Sequence, residues 1–334
     1  MTAATVLLVG LGRWGEKHLR VLRELETDLW VADPIEARRA WAVRQGIPPE
    51  RVVADYARVL PHVAAVDVVT PADTHRPIAE AALVAGRGCF VEKPIAGTVA
   101  DARRLGEIAR ERRRVLQVGH IFRFHPVTAT LRTALQAGRI GHVRFATGRF
   151  SGFKRPRTDV GVTHTDAIHY FDLFAHLFAR PATRVSALQR DYLGRGLDDM
   201  SVTLVEYGDI DAIVEANYFV PGTHRECMIV GDAGSLVADF GRGTVTLHAG
   251  EHVRRNGGWD ATSTTTEELA VEGQEPLRVE LTAFLEACAG RGPNPVPADE
   301  ALHALEIVEA AARGARSGRS VGLSEIASAR PRPF

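Results

Sequence analysis

The stretch Val6-Leu7-Leu8-Val9-Gly10-Leu11-Gly12-Arg13-Trp14-Gly15 decides the fold. Four consecutive apolar residues suit a strand buried on both faces, and the GxGxxG pattern that follows opens a run of helical spacing from Trp14 to Leu25. In such a turn Gly10 permits the tight bend, Gly12 lets backbone approach a pyrophosphate, and Gly15 lets helix and strand pack. The helix start then offers N–H groups and the positive end of its dipole to phosphates. Asp33 ends the second apolar run, Leu29 to Ala32, 21 residues after Gly12, where a carboxylate accepts hydrogen bonds from a ribose 2′-hydroxyl. The expectation is a dinucleotide site lined by Gly10, Gly12, Arg13, Trp14, Gly15 and Asp33. NAD is favoured over NADP because Asp33 repels a 2′-phosphate, with Arg38 and Arg39 pulling the other way.

Outward from that turn the pattern repeats. Val-rich runs at Ala65 to Thr70, Cys89 to Val91 and Val115 to Val118 alternate with amphipathic stretches at Ile35 to Gln45, Thr74 to Ala85 and Val99 to Arg112. Alternating strand and helix predicts an α/β, doubly wound parallel sheet, a Rossmann domain over residues 1–120. After about residue 121 the grammar changes. Helices are expected at Pro126 to Ala137 and Val162 to Phe178, then alternating runs at His142 to Phe150, Ala182 to Asp191, Met200 to Tyr207, Asp211 to Phe219 and Glu226 to Val230. Residues 121–334 are thus expected to form an α+β domain with a large, mostly antiparallel open sheet. Two tail helices, Pro276 to Ala289 and Ala298 to Arg313, are expected to pack back on the first domain.

Composition narrows the function classes. Of 334 residues 45% are apolar, and Lys plus Arg equals Asp plus Glu at 41 each, so no net positive field gathers nucleic acid or anionic membrane. Cys89, Cys227 and Cys288 stand far apart without a CxxC pair, no apolar run reaches membrane-spanning length, and no leader precedes Val6. A cytoplasmic location is the expectation. Only Lys17, Lys93 and Lys154 are lysines, against 38 arginines. An ammonium can lose its proton when desolvated and a guanidinium cannot, so each retained lysine is a candidate for chemistry.

Lys93 has the strongest case, because Glu92-Lys93-Pro94 ends the fifth strand at the edge where open α/β sheets bind ligands. Thr165, His169, Asp172 and His176 form one stripe of a helix, a pattern that fits a cleft wall or a set of satisfied core histidines. A metal site from His164, Asp166 and His169 lacks a second ligand cluster, and no metal is expected.

Taken together these residues resemble the Gfo/Idh/MocA family of NAD(P)-dependent oxidoreductases: Gly10 to Gly15, Thr70-Pro71 with His75, Glu92-Lys93-Pro94, and His169 with Asp172, in this order. The segments Val118 to Pro126 and Val230 to Gly234 agree with it, and the former, with Arg157 to Val162, is most similar to the nucleotide-sugar branch. The resemblance implies that Lys93 is the catalytic lysine and that His169 handles the substrate hydroxyl proton. Thr70, Pro71, His75, Glu92, Lys93 and His120 are implied to line the cofactor, and Arg123 to lie near the substrate. One departure is Thr165, where many members carry Asp. A hydroxyl is no carboxylate base, so the acid–base work shifts to His169 and Lys93, or to Asp166 if the helix register shifts.

The expected function is hydride transfer between a sugar ring carbinol, C3 of a nucleotide sugar first, and NAD. Arg123, Lys154 and Arg157 are candidates for a substrate phosphate, with Asp166 and His169 completing the substrate set. The alternatives are a free-sugar or inositol dehydrogenase, a ketoreductase, an NAD-dependent glycosidase, or a non-catalytic sensor. A homodimer or homotetramer is implied by the resemblance alone.

Overall fold

The structure is a computed structural model that describes residues 4–262 and 264–328. The chain forms two compact units, whose boundaries fall after Ile121, between Gln274 and Glu275, and between Leu302 and His303.

The first unit carries strands β1 (Thr5–Val9), β2 (Asp28–Ala32), β3 (Val52–Val53), β4 (Ala65–Val68), β5 (Gly88–Glu92) and β6 (Leu116–Gly119), with helices α1 (Gly15–Glu24), α2 (Glu36–Arg44), α3 (Ala72–Val84) and α4 (Val99–Arg112). All strands are parallel in the order β3-β2-β1-β4-β5-β6, so the winding reverses between β1 and β4, where such sheets bind ligands. Their apolar runs are continuous because both faces are covered: Val6, Leu7, Leu8, Val66, Phe90 and Val91 are all fully buried. The helix Pro276–Cys288, later in the chain, closes this core, with Phe284 edge-on to Phe90 at 5.7 Å.

The second unit begins with α5 (Pro126–Gln136) and β7 (Val143–Gly152), followed by a π-helical turn, Thr163–Ala167, that runs straight into α6 (Ile168–Phe178). Strands β8 (Arg184–Arg190), β9 (Met200–Tyr207), β10 (Ile210–Asn217), β11 (Thr223–Gly231), β12 (Gly234–Asp239) and β13 (Thr244–Ala249) come next. A hairpin of β14 (His252–Arg255) and β15 (Gly258–Ala261) precedes β16 (Thr265–Leu269); α7 is the helix Pro276–Cys288, and α8 (Ala298–Ser317), β17 (Val321–Gly322) and α9 (Leu323–Ala327) follow. Nine strands form one sheet, β16-β13-β12-β11-β7-β10-β9-β8-β17, antiparallel except where β7 and β10 run parallel. Burial alternates along β9 and β10, and the covered face meets α6 through Tyr170, Phe171 and Phe174, all fully buried. Gly148 is required there, since a Cβ would stand 2.7 Å from the Tyr170 ring.

Three features differ from expectation. The helix expected from Val162 to Phe178 opens with the π turn rather than a regular α turn. The sheet extends past Val230 through β12 and β13, which alternate in burial over short runs, and through β16, which is exposed and defined by its pairing with β13. Of the two tail helices, α7 groups with the first unit, whereas α8 belongs there only as far as Leu302.

Candidate active site

The candidate residues fall in two sets, one in each unit. In the first, the β1–α1 turn is built as its glycines require. Gly10 sits at φ +99 against the Val69 carbonyl, and a methyl on Gly15 would collide with the Gly10 carbonyl oxygen. Gly12 has nothing within 4 Å of where a Cβ would stand, and no side-chain oxygen caps α1 at Trp14. Open space above small backbone, at an uncapped helix start, fits a pyrophosphate. Asp33 is 4% exposed; its Oδ2 accepts the Leu11 N–H at 2.8 Å and its Oδ1 that of Ile35 at 2.8 Å, which leaves lone pairs on both oxygens for a diol. Arg38 donates to the Leu11 carbonyl and Arg39 to the carbonyls of Asp33 and Pro34, so both guanidiniums brace this loop.

Beneath the turn lies a network that the sequence reading missed. His18 of α1 is fully buried, with Nδ1 2.9 Å from Asp67 Oδ2 and Nε2 3.3 Å from Glu92 Oε1. Trp14 Nε1 donates to the same Glu92 oxygen at 2.6 Å, while Glu92 Oε2 accepts the Lys93 backbone N–H at 3.1 Å. Burial by itself lowers the His18 imidazole, but the two carboxylates outweigh it and push it up to about 10, so the ring is an imidazolium. Burial raises Asp67, and it works the same way on Glu92, yet His18, Lys93 and Trp14 hold Glu92 below the usual carboxylate range. Glu92 thereby ties the glycine turn to the strand end that presents Lys93. A side chain on Gly119 of β6 would press on this carboxylate, its Cβ 2.9 Å from Glu92 Oε1.

His75 does similar work one strand away. Its Nε2 lies 2.8 Å from the Thr70 carbonyl and its Nδ1 2.8 Å from that of Pro94, bridging the carboxyl ends of β4 and β5. Thr74 Oγ1 donates to Thr70 Oγ1 at 2.7 Å, and Pro71 stands at the start of α3 without a side-chain cap. His120, just past β6, is 1% exposed.

The second set gathers where the π turn packs against β7, β9 and β10. Turns of this kind insert a residue and redirect side chains. Asp166 is 3% exposed; its Oδ1 accepts Lys154 Nζ at 3.0 Å and its Oδ2 stands 2.8 Å from the same nitrogen as an ion pair, while Thr165 Oγ1 lies 3.0 Å from the Tyr218 hydroxyl. The register shift thus turns Asp166 to Lys154 and Thr165 to Tyr218. His169, 6% exposed, stacks with both Phe122 and Phe150, at 4.8 and 5.2 Å between ring centres, the two phenyl rings themselves 6.0 Å apart. Asp172 binds Arg123 through both oxygens, at 2.8 and 2.6 Å. Arg157 makes the same kind of fork with Asp159, at 2.8 and 2.6 Å, near the surface. Tyr218 and Phe150 carried no sequence signal beyond β-strand alternation. Among the described residues no group of three or more His, Cys, Asp or Glu side chains can hold a metal ion, and no helix is long and apolar enough to cross a membrane.

Comparison with known proteins follows this geometry. Residues 4–120 match the NAD-binding Rossmann fold of the GFO/IDH/MocA oxidoreductase family, and residues 132–323 match its C-terminal alpha/beta domain. An inositol 2-dehydrogenase of Acidothermus cellulolyticus is 29% identical over 265 residues, 74% of this chain and 76% of that protein. A UDP-N-acetylglucosamine 3-dehydrogenase of Acidithiobacillus ferrooxidans is 35% identical over 167 residues, 50% of this chain and 51% of that protein. A solved structure of the enzyme of that name from the same organism has a TM-score of 0.83 at 25% identity, covering 95% of this chain and 99% of the other. With both of its domains matched in order, the chain belongs to the Gfo/Idh/MocA family of oxidoreductases and carries that family's NAD(P)-binding Rossmann unit.

Proposed function

We propose that this protein is a dehydrogenase that oxidises a secondary hydroxyl on a sugar ring, with NAD as its cofactor and the C3 hydroxyl of a nucleotide sugar as its first candidate substrate. The observation that carries the reading is Lys93 at the carboxyl end of β5, its backbone held by the buried Glu92 carboxylate. Gly10, Gly12, Arg13, Trp14 and Gly15 would hold the pyrophosphate and Asp33 the ribose diol, whose carboxylate disfavours a 2′-phosphate. Bound nicotinamide supplies the hydride acceptor. His169 takes the proton of the reacting hydroxyl, its ring plane fixed by Phe122 and Phe150, and Lys93 is the second residue assigned to the catalytic step. Asp172 holds Arg123 toward the substrate, and Asp166 does the same for Lys154.

The likeness to a UDP-N-acetylglucosamine 3-dehydrogenase supports the nucleotide sugar. A free sugar or cyclic polyol is the second reading, favoured by one observation: Arg123, Lys154 and Arg157 each already bind a carboxylate, which spends charge that a diphosphate would use. A homo-oligomer is supported by the open sheet face, where Leu188, Leu204, Ile213 and Val237 are each more than a third exposed. The three free cysteines suit a reducing, cytoplasmic setting.

The test is Lys93→Ala, with NAD binding followed separately by tryptophan fluorescence. Turnover of UDP-N-acetylglucosamine or of a free sugar should fall by about 10² to 10⁴ while NAD still binds. Unchanged turnover removes the lysine from the mechanism.

A further inference from the structure

Arg225 stands apart from the other cations around His169. It lies on β11 directly opposite Phe150 of β7, on the covered side of the sheet, and its guanidinium carbon sits 3.4 Å above the Phe150 ring centre. The same ring stacks with His169, 5.2 Å between ring centres, so guanidinium and imidazole share Phe150 as a neighbour. Nη1 donates to the carbonyls of Ser151 at 2.9 Å and His224 at 2.6 Å. Nε and Nη2, the two donors of the side-on fork, meet no protein acceptor among the described residues.

The neighbouring charges are all compensated. Lys154 is paired with Asp166, Arg123 with Asp172, Arg195 with Asp199 and Arg149 with Glu215. Arg225 alone in this group makes no ion pair among the described residues, although it is half-buried and burial lowers its pKa. The Asp166 carboxylate acts on this cation only from beyond ion-pair distance, and the fork of Nε and Nη2, left unfilled by protein, matches the two oxygens of a carboxylate or phosphoryl group.

We propose that Arg225 is the subsite for an anionic substituent of the substrate, binding two of its oxygens through Nε and Nη2 while the neighbouring ring hydroxyl faces His169. This rests on the sugar-dehydrogenase reading and narrows its substrate class to sugars that carry a carboxylate or a phosphoryl group, rather than neutral polyols. Two carbonyl bonds from Nη1 and the stacking on Phe150 keep the fork in place, so little is lost in ordering it on binding.

The experiment compares wild type with Arg225→Gln and Arg225→Lys. UDP and glucuronate are titrated calorimetrically in the presence of NAD, and NADH formation is followed with UDP-N-acetylglucosamine, glucuronate and myo-inositol. The Gln variant should bind at least one of the two anions roughly 10- to 100-fold more weakly, and lower kcat/KM for that class alike, while any turnover of myo-inositol stays within about twofold. The Lys variant should recover only part, because it lacks the fork. Weakening confined to UDP assigns the phosphoryl group, and weakening confined to glucuronate the carboxylate. Equal anion affinity in wild type and the Gln variant overturns the proposal, as does an equal loss on myo-inositol. If wild type reduces NAD with no sugar yet binds an anion through Arg225, the dehydrogenase reading fails and the subsite stands.

Discussion

Two buried histidines, one in each unit, sit in opposite kinds of surroundings. His18 is closed in by the Asp67 and Glu92 carboxyl groups, at 2.9 and 3.3 Å, with no exposed surface on the ring. His169 is walled by Phe122 and Phe150, and of the cations around it Arg123 and Lys154 are held by carboxylates, Lys154 still 37% exposed, while Arg225 makes no ion pair among the described residues. Charge in the first place shapes backbone. In the second it remains within reach of a ligand. Substitutions near His18 should therefore act on stability, and substitutions near His169 on turnover.

The largest stability effect is expected from His18→Leu. Removing the imidazolium leaves two buried carboxylates facing each other, a change of about 3 to 5 kcal/mol where a buried pair is broken. Urea unfolding monitored by circular dichroism measures it; a loss under about 1 kcal/mol would mean that the network is not ionised as described. The same group gives a pH signature. Its folded-state pKa of about 10 lies above the ordinary 6.5, so protonation favours the fold: the contribution is complete below pH 6.5 and is lost as pH rises toward 10. Unfolding free energy of the wild type should decline over that window, and the decline should shrink in a His18→Gln variant.

Gly12→Ala sharpens the contrast within the first unit. With nothing within 4 Å of the new methyl, the melting temperature should stay within a degree or two, while the group occupies space assigned to the pyrophosphate. NAD affinity should drop roughly tenfold, the scale of one lost charge-assisted hydrogen bond. Undiminished NAD binding would move the cofactor elsewhere. The smallest effect is expected from Tyr218→Phe, which removes one buried hydroxyl contact with Thr165 and should cost about 1 kcal/mol, read as a small shift in the thermal midpoint.

The contrast also explains what the sequence could disclose. The run from Val6 to Gly15, Asp33 at the end of β2 and Lys93 at the end of β5 were legible because each is set by local chemistry: glycine geometry, a strand end, a rare residue type. His18 was not, since a lone histidine on the apolar side of a helix reads as core, and its partners arrive from β4 and β5 only through the strand order. The π turn at Thr163–Ala167 left no periodic trace distinct from an α-helix, so the pairing of Thr165 with Tyr218 and of Asp166 with Lys154 could not be read from spacing. Arg225 lies in the first residues of β11, ahead of the apolar alternation that starts at Glu226. Strand β15 is exposed along its whole length, so no alternation marks it; its pairing with β14 defines it.

The most direct test is His169→Asn, with NAD affinity and sugar-dependent NADH formation measured on the same preparation. The division of labour described above requires NAD to bind with unchanged affinity and turnover to fall by about 10² or more. Turnover within a few-fold of wild type, at unchanged NAD affinity, would contradict it.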